Sequence, residues 1–411
     1  MTRKICLVTP EFPPLRWGGL ARTVERVAGH LAGAGCDVHV LHYRPQEGLP
    51  PLLDENRRST ISGPLTVHDV LLGREPVAAR GPSLWDCPHT LTLLMLFESL
   101  EMLQRAERFE AFVSFFLYPT SYVTGLLARR EGLPHLACAV GNDVKKYFFS
   151  PEKAAVCRSA LENADRLVFL AHDLLDLAHS LAPVRERSCV IYNSVTPPAR
   201  PWPGPRAERG APFVVGAAGI FKHAKGLPYL FKAVASLRAA GPLCLDLAGE
   251  TRPEEVPVRE DLLDRCNIRD CVCFAGVVPH ERMPDWLCGL DAFALPSVSE
   301  GCPNVLMEAM AAGLPCVATR VGAAETLVEH EVSGLLVPWG DSAALAEALD
   351  RIRRDPELAA RLGREAARRM ESFSPARERE AWTAALDALF ATQPGVRPVP
   401  PGIAPGSTRL P

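Results

Sequence analysis

Two glutamates eight positions apart, Glu300 and Glu308, are the side chains in this sequence best placed to do chemistry. They lie in the stretch SEGCPNVLMEAMAAGLPCVATRVG, residues 299–322. An ionised carboxylate accepts hydrogen bonds from two neighbouring hydroxyls, each worth about 1.5–3 kcal/mol because one partner is charged. Ribose or sugar hydroxyls would be natural donors to such a group. On the pair alone, a solvated surface Glu308 and a Glu300 that merely favours the helix dipole are equally good interpretations.

The residues around the pair predict a strand, a loop and a helix. The apolar run AFALP predicts a strand that ends at Pro296. The following loop should then face a ligand cleft, because ligands bind at the carboxyl ends of parallel strands. Pro303 suits the first turn of a helix, and Gly313 suits the position just after its end. Leu306 falls on the core face of this helix, and Glu308 lies on roughly the opposite face.

Alternating strands and helices define the first half of the chain. RKICLVTP predicts a strand, about Leu20 to Ala34 a helix, and CDVHVLHY a second strand, which together form a βαβ unit of a parallel, doubly wound sheet. Further strands are predicted at AFVSFF, PHLACAV, RLVFLA and SCVIYN. The segment 46–83 is poorly patterned and is expected to contain loops. Leu91 to Leu103 predicts an amphipathic packed helix, with a membrane-surface role as a minority alternative.

A second alternating series follows a Pro-rich break. We predict a first domain over residues 1–195, a linker over 196–212 and a second domain over 213–375. A C-terminal helix, 376–392, is expected to pack back on the first domain, and the Pro/Gly-rich tail 393–411 to be disordered. The strands of the second domain are predicted at FVVGAAG, CLDLAGE, CVCFAGV, AFALP, PCVATR and GLLVP, and a helix is predicted to begin with Asp341 as its N-cap. Two similar α/β halves predict a ligand cleft between them.

Composition narrows the class of protein. The 411 residues are 47% hydrophobic and 23% charged with a net charge of -3, which gives no basis for a nucleic-acid partner. We find neither a long apolar signal segment nor a run of 18 apolar residues, so a cytoplasmic protein without a membrane span is expected. The 13 cysteines include many in apolar surroundings, as expected of reduced thiols. Cys266, Cys271 and Cys273 lack a zinc-binding spacing, so no metal site is predicted there.

The stretch around the two glutamates resembles the signature of family 4 retaining glycosyltransferases. That pattern is a Glu, seven residues, a second Glu and then Ala-Met-Ala-x-Gly-x-Pro, which here is Glu300, Glu308 and residues 309–315. The similarity continues through Gly322, Glu325 and residues 334–338, and upstream through FAGVVPHERMPDWL. The resemblance implies the α/β GT-B fold, in which two Rossmann-like doubly wound parallel-sheet domains face each other across a cleft. It also implies a UDP- or GDP-sugar donor and a hydroxyl acceptor.

The resemblance also implies roles for the residues of this stretch. Glu308 would hold the ribose hydroxyls of the nucleotide-sugar, and Glu300 would contact the donor sugar. The intervening loop would bind the sugar and the phosphates through Gly301, Cys302, Pro303, Asn304 and Val305.

A lysine-containing segment, GIFKHAKGLPYLFKA, resembles the part of the family that binds the donor diphosphate. Lys225 matches the family lysine. The family arginine five positions earlier is replaced by Ile220, so Lys222 becomes the candidate for a second positive charge. Without the resemblance, both lysines would be interpreted as surface residues.

Two loops of the first domain resemble family loops at the same cleft. Gly18 and Gly19, before the first helix, would let backbone approach a phosphate or the acceptor. In VGNDVKK, Asp143 is predicted to orient an acceptor, although a loop aspartate that caps a turn is the plainer interpretation. The family His or Arg of this loop is Val140 here. Asn193, in IYNSVT, is predicted to be structural.

The expected mechanism uses neither a cofactor nor a metal ion. Metal-dependent glycosyltransferases usually hold the metal with Asp-x-Asp, which this sequence lacks. Lys225, Lys222 and helix N-termini would instead stabilise the departing diphosphate. The resemblance suggests attack on the same face of the sugar, with a donor phosphate as base. The replacements at Ile220 and Val140 keep two alternatives open: a non-catalytic nucleotide-sugar-binding partner subunit, and a GT-B-like epimerase, lyase or phosphorylase. Weak peripheral membrane association at the inner face is also left open.

Overall fold

The computed structural model describes residues 2–14, 18–47, 57–74, 90–205 and 211–392. Two β-sheets organise these residues. The first sheet contains β1 (Lys4–Thr9), β2 (Asp37–Glu47), β3 (Arg57–Ser62), β4 (Leu65–Arg74), β5 (Ala111–Phe115), β6 (His135–Ala139), β7 (Arg166–Phe169) and β8 (Ser188–Val190). The second contains β9 (Phe213–Ala218), β10 (Leu243–Ala248), β11 (Val272–Gly276), β12 (Ala292–Leu295), β13 (Cys316–Thr319) and β14 (Leu335–Val337).

Helices connect the strands in both halves. Those of the first half are α1 (Gly19–Gly33), α2 (Thr90–Glu107), α3 (Tyr122–Glu131), α4 (Asn142–Lys145), α5 (Pro151–Asn163) and α6 (His172–Leu181). Those of the second half are α7 (Leu227–Arg238), α8 (Val256–Arg265), α9 (Met283–Cys288), α10 (Asn304–Ala311), α11 (Ala324–Leu327), α12 (Ser342–Arg354) and α13 (Pro356–Met370), followed by α14 (Pro375–Ala391).

The strand order confirms two Rossmann-like domains. In the first sheet the order is β3-β4-β2-β1-β5-β6-β7-β8, and in the second it is β11-β10-β9-β12-β13-β14. Both orders reverse direction beside the first strand of the domain, between β1 and β5 and between β9 and β12. Such a reversal opens a crevice at the carboxyl ends of the strands, which is where ligands bind in these sheets.

Segment 46–83, whose weak pattern predicted loops, contains strands in its described part. Its described residues include a hairpin: β4 pairs in parallel with β2, and β3 pairs antiparallel with β4. All six residues of β3 are exposed, so an edge strand of this kind carries almost no alternation of apolar and polar residues. Residues 48–56 and 75–83 of the segment lie outside the described part of the chain.

The amphipathic helix predicted at Leu91 to Leu103 is confirmed as α2. Leu96, Leu100 and Leu103 are buried in a core that also contains Tyr43 and Phe112. Among the helices that the structure describes, none is long and apolar enough to cross a membrane. The buried face of α2 packs against β4 of the first sheet.

The linker and the last helix fasten the two domains together. Within 196–205, the described part of the linker before its gap, Trp202 donates from its backbone N–H to Ala312 O at 2.7 Å and from its indole to Leu290 O at 2.8 Å. Helix α14 returns to the first domain, where its buried Trp382 lies 5.8 Å, ring to ring, from Phe115. Residues 393–411, the predicted disordered tail, lie outside the described residues.

Candidate active site

Glu300 lies in the loop that follows β12, at the point where the order of the second sheet reverses. Its Oε1 accepts a hydrogen bond from Ser297 Oγ at 2.6 Å and one from Lys225 Nζ at 2.7 Å. The side chains of Glu300 and Lys225 are 11% and 19% exposed. The structure therefore brings the predicted sugar-contacting carboxylate and the predicted phosphate-binding lysine into direct contact.

Gly226 makes the position of Lys225 possible. Its backbone is left-handed, with φ of 69°, and a Cβ added there would lie 1.9 Å from Pro296 O. Only glycine lets the loop after β9 lie this close to the end of β12. This close approach places Lys225 beside Glu300.

Helix α10 begins and ends nearly as predicted. Pro303, predicted in the first turn, is instead the N-cap residue, because its ψ of 100° is extended. Gly313 terminates the helix with φ of 81°, and Leu314 N–H donates to Ala309 O, as in a Schellman ending. The amides of Asn304 and Val305 come before Leu306, whose N–H bonds back to Pro303 O. The amides of Asn304 and Val305, at the first turn, have no acceptor within the helix.

Glu308 points from α10 towards helix α1 of the first domain. Its Oε1 accepts from Arg22 Nη1 at 3.1 Å, and His280 Nδ1 lies 3.8 Å from the same oxygen. Its Oε2 is buried, and no described residue donates to it. Burial raises the pKa of Glu308, and the charges of Arg22 and then Arg26 oppose that rise. Glu308 Oε2 is thus a buried acceptor for which no described residue supplies a donor.

A cavity of about 460 Å³ lies between the domains at Glu308. Polar and apolar side chains from both domains and from the linker line it. They are Arg22, Glu25, Arg26, Ser194, Val195, Thr196, Pro198, His280, Glu281, Met283, Pro284, Leu287, Asn304 and Glu308.

Cationic side chains gather near Lys225. Burial lowers the pKa of Lys222, and the neighbouring charges of Arg252 and Lys225 lower it further. Arg252 is held there because its N–H donates to Phe221 O at 3.0 Å. At Ile220, which replaces the family arginine, the side chain is partly exposed. Arg252 is a residue that the sequence analysis missed, although a basic residue just after the strand CLDLAGE was a usable signal.

Loops of the first domain touch the loop of Glu300. A Cβ added at Gly301 would lie 2.4 Å from Val140 O, so backbone meets backbone across the cleft. Lys145 Nζ donates to Glu300 O at 2.8 Å. Gly19, one of the two predicted loop glycines, accepts from Asn304 Nδ2 at 3.5 Å through its carbonyl. Its partner Gly18 instead lies beside the carboxylate of Glu11.

Asp143 lies among the loops of the first domain. Its side chain is fully buried, and its carboxylate accepts from the backbone N–H groups of Leu117, Val140 and Gly141 at 2.8–3.2 Å. Burial raises its pKa, and these amide hydrogen bonds oppose the rise. The carboxylate is enclosed by loop amides in this structure, and its predicted part in orienting an acceptor stays a prediction. Asp143 holds together the loops after β5 and β6.

Cys302 contributes its backbone and not its thiol to the cleft. Burial raises the pKa of the thiol to about 12, and its Sγ lies against Met307. The carbonyl of Cys302 accepts from Asn193 Nδ2 at 3.2 Å, and Asn193 also donates to Asn304 Oδ1 at 2.8 Å. Asn193, predicted to be structural, is therefore a bridge from the end of the first domain to the start of α10.

Arg22 and His280 were also missed by the sequence analysis. Arg22 comes three residues after Gly19 on α1, and His280 belongs to the quoted segment FAGVVPHERMPDWL. Arg22 lies within reach of Glu308 only because the two domains face each other, whereas His280 approaches it from the loop after β11 of the same domain. The position of Arg22 just after the glycine pair was a signal that it lies at the cleft. No local pattern in the sequence indicates that it contacts Glu308.

A second group of side chains with potential metal-ligand atoms lies near the amino end of β2, away from the cleft. Its members are His39, His68 and Glu107. His39 Nδ1 and His68 Nε2 are 2.9 Å apart, and the two rings are nearly coplanar at 19°. Ser59 bonds the outer nitrogen of His68, and Lys4 engages Glu107 at 2.6 Å. Nitrogens that face each other edge to edge at this distance share a proton, so the geometry is that of a hydrogen-bonded pair.

Two family models match the chain. Residues 212–355 match the model described as "Glycosyl transferases group 1", and residues 18–194 match the "Glycosyl transferase 4-like domain". With the fold and the paired glutamates, these matches show that the chain belongs to the family 4 glycosyltransferases, enzymes of the GT-B fold.

Curated relatives carry glycosyltransferase names. A D-inositol 3-phosphate glycosyltransferase of Streptomyces avermitilis is 30% identical over 300 residues, which are 66% of this chain and 64% of that protein. The match thus spans less than two thirds of that relative. A protein of the same name from Thermobispora bispora is 28% identical over 410 residues, covering 92% of each chain.

Solved structures share the fold. The sucrose-phosphate synthase of Thermosynechococcus elongatus has a TM-score of 0.73 at 23% identity and covers 95% of this chain and 99% of its own. Anabaena HepE in complex with UDP and glucose has a TM-score of 0.71 at 19% identity and covers 94% of this chain and 100% of its own. At these identities the similarity establishes the two-domain GT-B architecture.

Proposed function

We propose that this protein transfers a sugar from a nucleoside diphosphate sugar to a hydroxyl acceptor, with retention of the anomeric configuration and without a metal ion. The observation that carries the proposal is the Glu308 carboxylate, whose buried Oε2 lacks a donor among the described residues beside an interdomain cavity. Burying a carboxylate oxygen without a partner costs free energy unless a ligand supplies the donor. Ribose hydroxyls would supply it.

The remaining cleft residues suit the rest of such a donor. The diphosphate would lie between Lys225, Lys222 and Arg252 and the first amides of α10, where a helix N-terminus favours negative charge. The sugar would lie at Glu300. UDP is the first nucleotide to test, because the similar Anabaena structure was determined with UDP. GDP is the second.

In the proposed reaction, the bond from the anomeric carbon to the diphosphate oxygen breaks, and a bond from that carbon to the acceptor oxygen forms on the same face. The acceptor proton passes to the departing phosphate oxygen. Positive charge develops on the sugar ring in an oxocarbenium-like state. The ammonium of Lys225 has three N–H donors. It would therefore stabilise the departing diphosphate while still donating one hydrogen bond to Glu300.

The acceptor would enter from the first domain, beside the loops after β5 and β6. The loop after β6 meets the Glu300 loop at Gly301, and Asp143 holds it to the loop after β5. Polyol phosphates are the first acceptors to screen, because several relatives are named for inositol phosphate. Cytoplasmic location and peripheral membrane contact stay predictions.

Calorimetric titration with UDP, GDP, ADP and TDP tests the donor site. We expect one diphosphate to bind wild type and to bind Glu308→Gln about 10–100-fold more weakly, because the amide loses charge-assisted hydrogen bonds. Glu347→Gln is the matched control, since Glu347 is exposed on α12. Equal affinity in wild type and Glu308→Gln would contradict the ribose contact.

Turnover assays test the transfer itself. Glu308→Ala should lower kcat/KM by about 10²–10³, on the order of 3–4 kcal/mol of transition-state stabilisation. Product analysis by NMR would report the anomeric configuration, and added EDTA should leave the rate unchanged. Donor binding without transfer to any acceptor would favour the non-catalytic partner subunit instead.

A further inference from the structure

We propose that Arg22, on helix α1 of the first domain, is a positioning residue that keeps the Glu308 carboxylate in its charged, hydrogen-bond-accepting form for the nucleoside ribose. The proposal rests on the proposed function of Glu308. It assigns to the first domain a direct part in donor binding, so that a donor would bind fully only when the domains face each other.

Hydrogen bonds between the domains fix the position of Arg22. Asn304 Nδ2 lies 3.5 Å from Gly19 O, and Thr23 Oγ1 lies 3.1 Å from Asn193 Oδ1. Asn193 in turn donates to Asn304. The first turn of α1 is thus held against the first turn of α10, and Arg22 lies between these contacts. Its Nη1 reaches Glu308 Oε1 at 3.1 Å.

Among the described charged and titratable groups around Glu308, Arg22 is the closest cation. From α1, Arg22, Glu25 and Arg26 line the cavity, and from the segment before α9 so do His280 and Glu281. Arg26 is engaged elsewhere, since its guanidinium bonds the Glu378 carboxylate at 2.6 and 3.1 Å. Burial and the Arg22 charge lower the pKa of His280, which therefore favours its neutral form near pH 7.

Burial alone would drive Glu308 towards its protonated form. The pKa of Glu308 is raised by burial, and Arg22 is the first of the charges that oppose this rise. A protonated carboxyl has less acceptor capacity and cannot form charge-assisted bonds with two ribose hydroxyls. Arg22 occupies Oε1 only, so Oε2 is left for a ligand.

The test is the pH dependence of UDP affinity in Arg22→Gln, with Arg22→Lys as the conservative variant. An opposite charge this close typically shifts a carboxyl pKa by about 1–3 units. We therefore expect the Kd of Arg22→Gln to exceed that of wild type by about tenfold near pH 7. The ratio should shrink as the pH is raised, because ionisation of the Glu308 carboxyl then depends less on the Arg22 charge. Arg22→Lys should restore most of the affinity.

Two controls separate this role from a structural one and from a phosphate contact. Arg105→Gln, on the exposed Arg105 of α2, should leave UDP affinity unchanged. In the Glu308→Gln background, Arg22→Gln should have no further effect, because no charge is left to maintain. A loss in Arg22→Gln that is equal at every pH, or that persists in the double variant, would overturn the proposal in favour of direct phosphate binding or a folding defect.

The outcomes also separate this inference from the proposed function. If Glu308→Gln binds UDP as wild type does, the ribose contact fails and the inference fails with it. If Glu308→Gln binds weakly but Arg22→Gln shows wild-type affinity throughout, Glu308 keeps its role and only the part assigned to Arg22 is wrong.

Discussion

Lys225 and Glu300 neutralise each other in this structure, and a diphosphate would have to share that contact. The Lys225 ammonium lies 2.7 Å from Glu300 Oε1, which Ser297 also bonds. Because this arrangement is part-buried, the lysine is fixed in direction before any donor arrives. A fixed cation needs little reorganisation when negative charge develops on a leaving group.

Replacing Lys225 should therefore lower the rate of transfer more than the affinity for the nucleotide. We expect Lys225→Ala to lower kcat by about 10²–10³, the usual cost of removing one electrostatic donor to a transition state. Steady-state kinetics with the donor found by calorimetry would measure this.

Lys232→Ala, an exposed lysine on α7, is the control for the Lys225 variant and should retain full activity. If Lys225→Ala raised KM and left kcat unchanged, the lysine would contribute only uniform binding and not stabilisation of the departing diphosphate.

At the scale of elements, the close approach of the Glu300 loop to the loop after β6 depends on the absence of a side chain at residue 301. The Gly301 backbone meets Val140 O, and Lys145 bonds the carbonyl of Glu300. Helix α10 follows directly, so a shift of this loop also moves its first amides. Two loops from different domains thus set the geometry of one site.

Gly301→Ala should impair transfer while the protein stays folded. Its Cβ would meet Val140 O at 2.4 Å, so the loops must separate, and a displacement near 1 Å can cost about 10² in rate. We expect kcat/KM to fall by at least about tenfold and the melting temperature to stay within a few degrees of wild type.

Gly29→Ala provides the matched control at the element scale. Gly29 is in an exposed position of α1 with open space around it, and alanine there should stabilise the helix by about 0.5–1 kcal/mol without affecting turnover. Wild-type turnover in Gly301→Ala would show that the approach of the two loops is not needed for transfer.

At the scale of the whole molecule, one buried carboxylate ties the last helix to the first domain. Glu378 of α14 accepts from Arg26 and Ser194, and its Oε2 lies 3.1 Å from His30 Nε2. Burial alone would raise its pKa, but the hydrogen bonds from His30, Arg26 and Ser194 outweigh burial, so that its pKa is lowered. Arg26 and Ser194 also line the cavity at Glu308, so this cluster adjoins the proposed donor site.

Glu378→Gln should destabilise the protein by about 2 kcal/mol near pH 7, since it leaves the partly buried Arg26 without its charge partner. A carboxyl whose pKa is lower in the folded state adds stability above its unfolded pKa, about 4.3, and that stability is lost as the pH falls through the folded pKa. The gap in urea midpoint between wild type and Glu378→Gln should therefore narrow below about pH 4.

Glu380→Gln serves as the control on the same helix, because Glu380 is exposed. Its midpoint should follow wild type across the acid range. A Glu378→Gln midpoint that matched wild type at neutral pH would mean that the cluster contributes nothing to the attachment of α14.

Apart from β3 and β4, the sequence by itself determined the two series of strands. It also determined α10 with its Gly313 ending and the N-cap at Asp341, whose Oδ1 accepts from Ala343 and Ala344 N–H at 3.0 and 2.9 Å. These features depend on local spacing of apolar residues and on the conformational preferences of glycine, proline and capping side chains, which act over a few residues. The paired glutamates were recognised for the same reason, because their signature is contiguous in the chain.

Only the tertiary structure decided which groups meet at the cleft. Arg22 and Glu308 are 286 residues apart in sequence, and no local pattern predicts their contact. The same holds for Arg252 beside Lys222 and for the burial of Asp143 among backbone amides. The physical reason is that these contacts form where loops from separate strands converge, so their partners are set by the order of the sheets and by the docking of two domains.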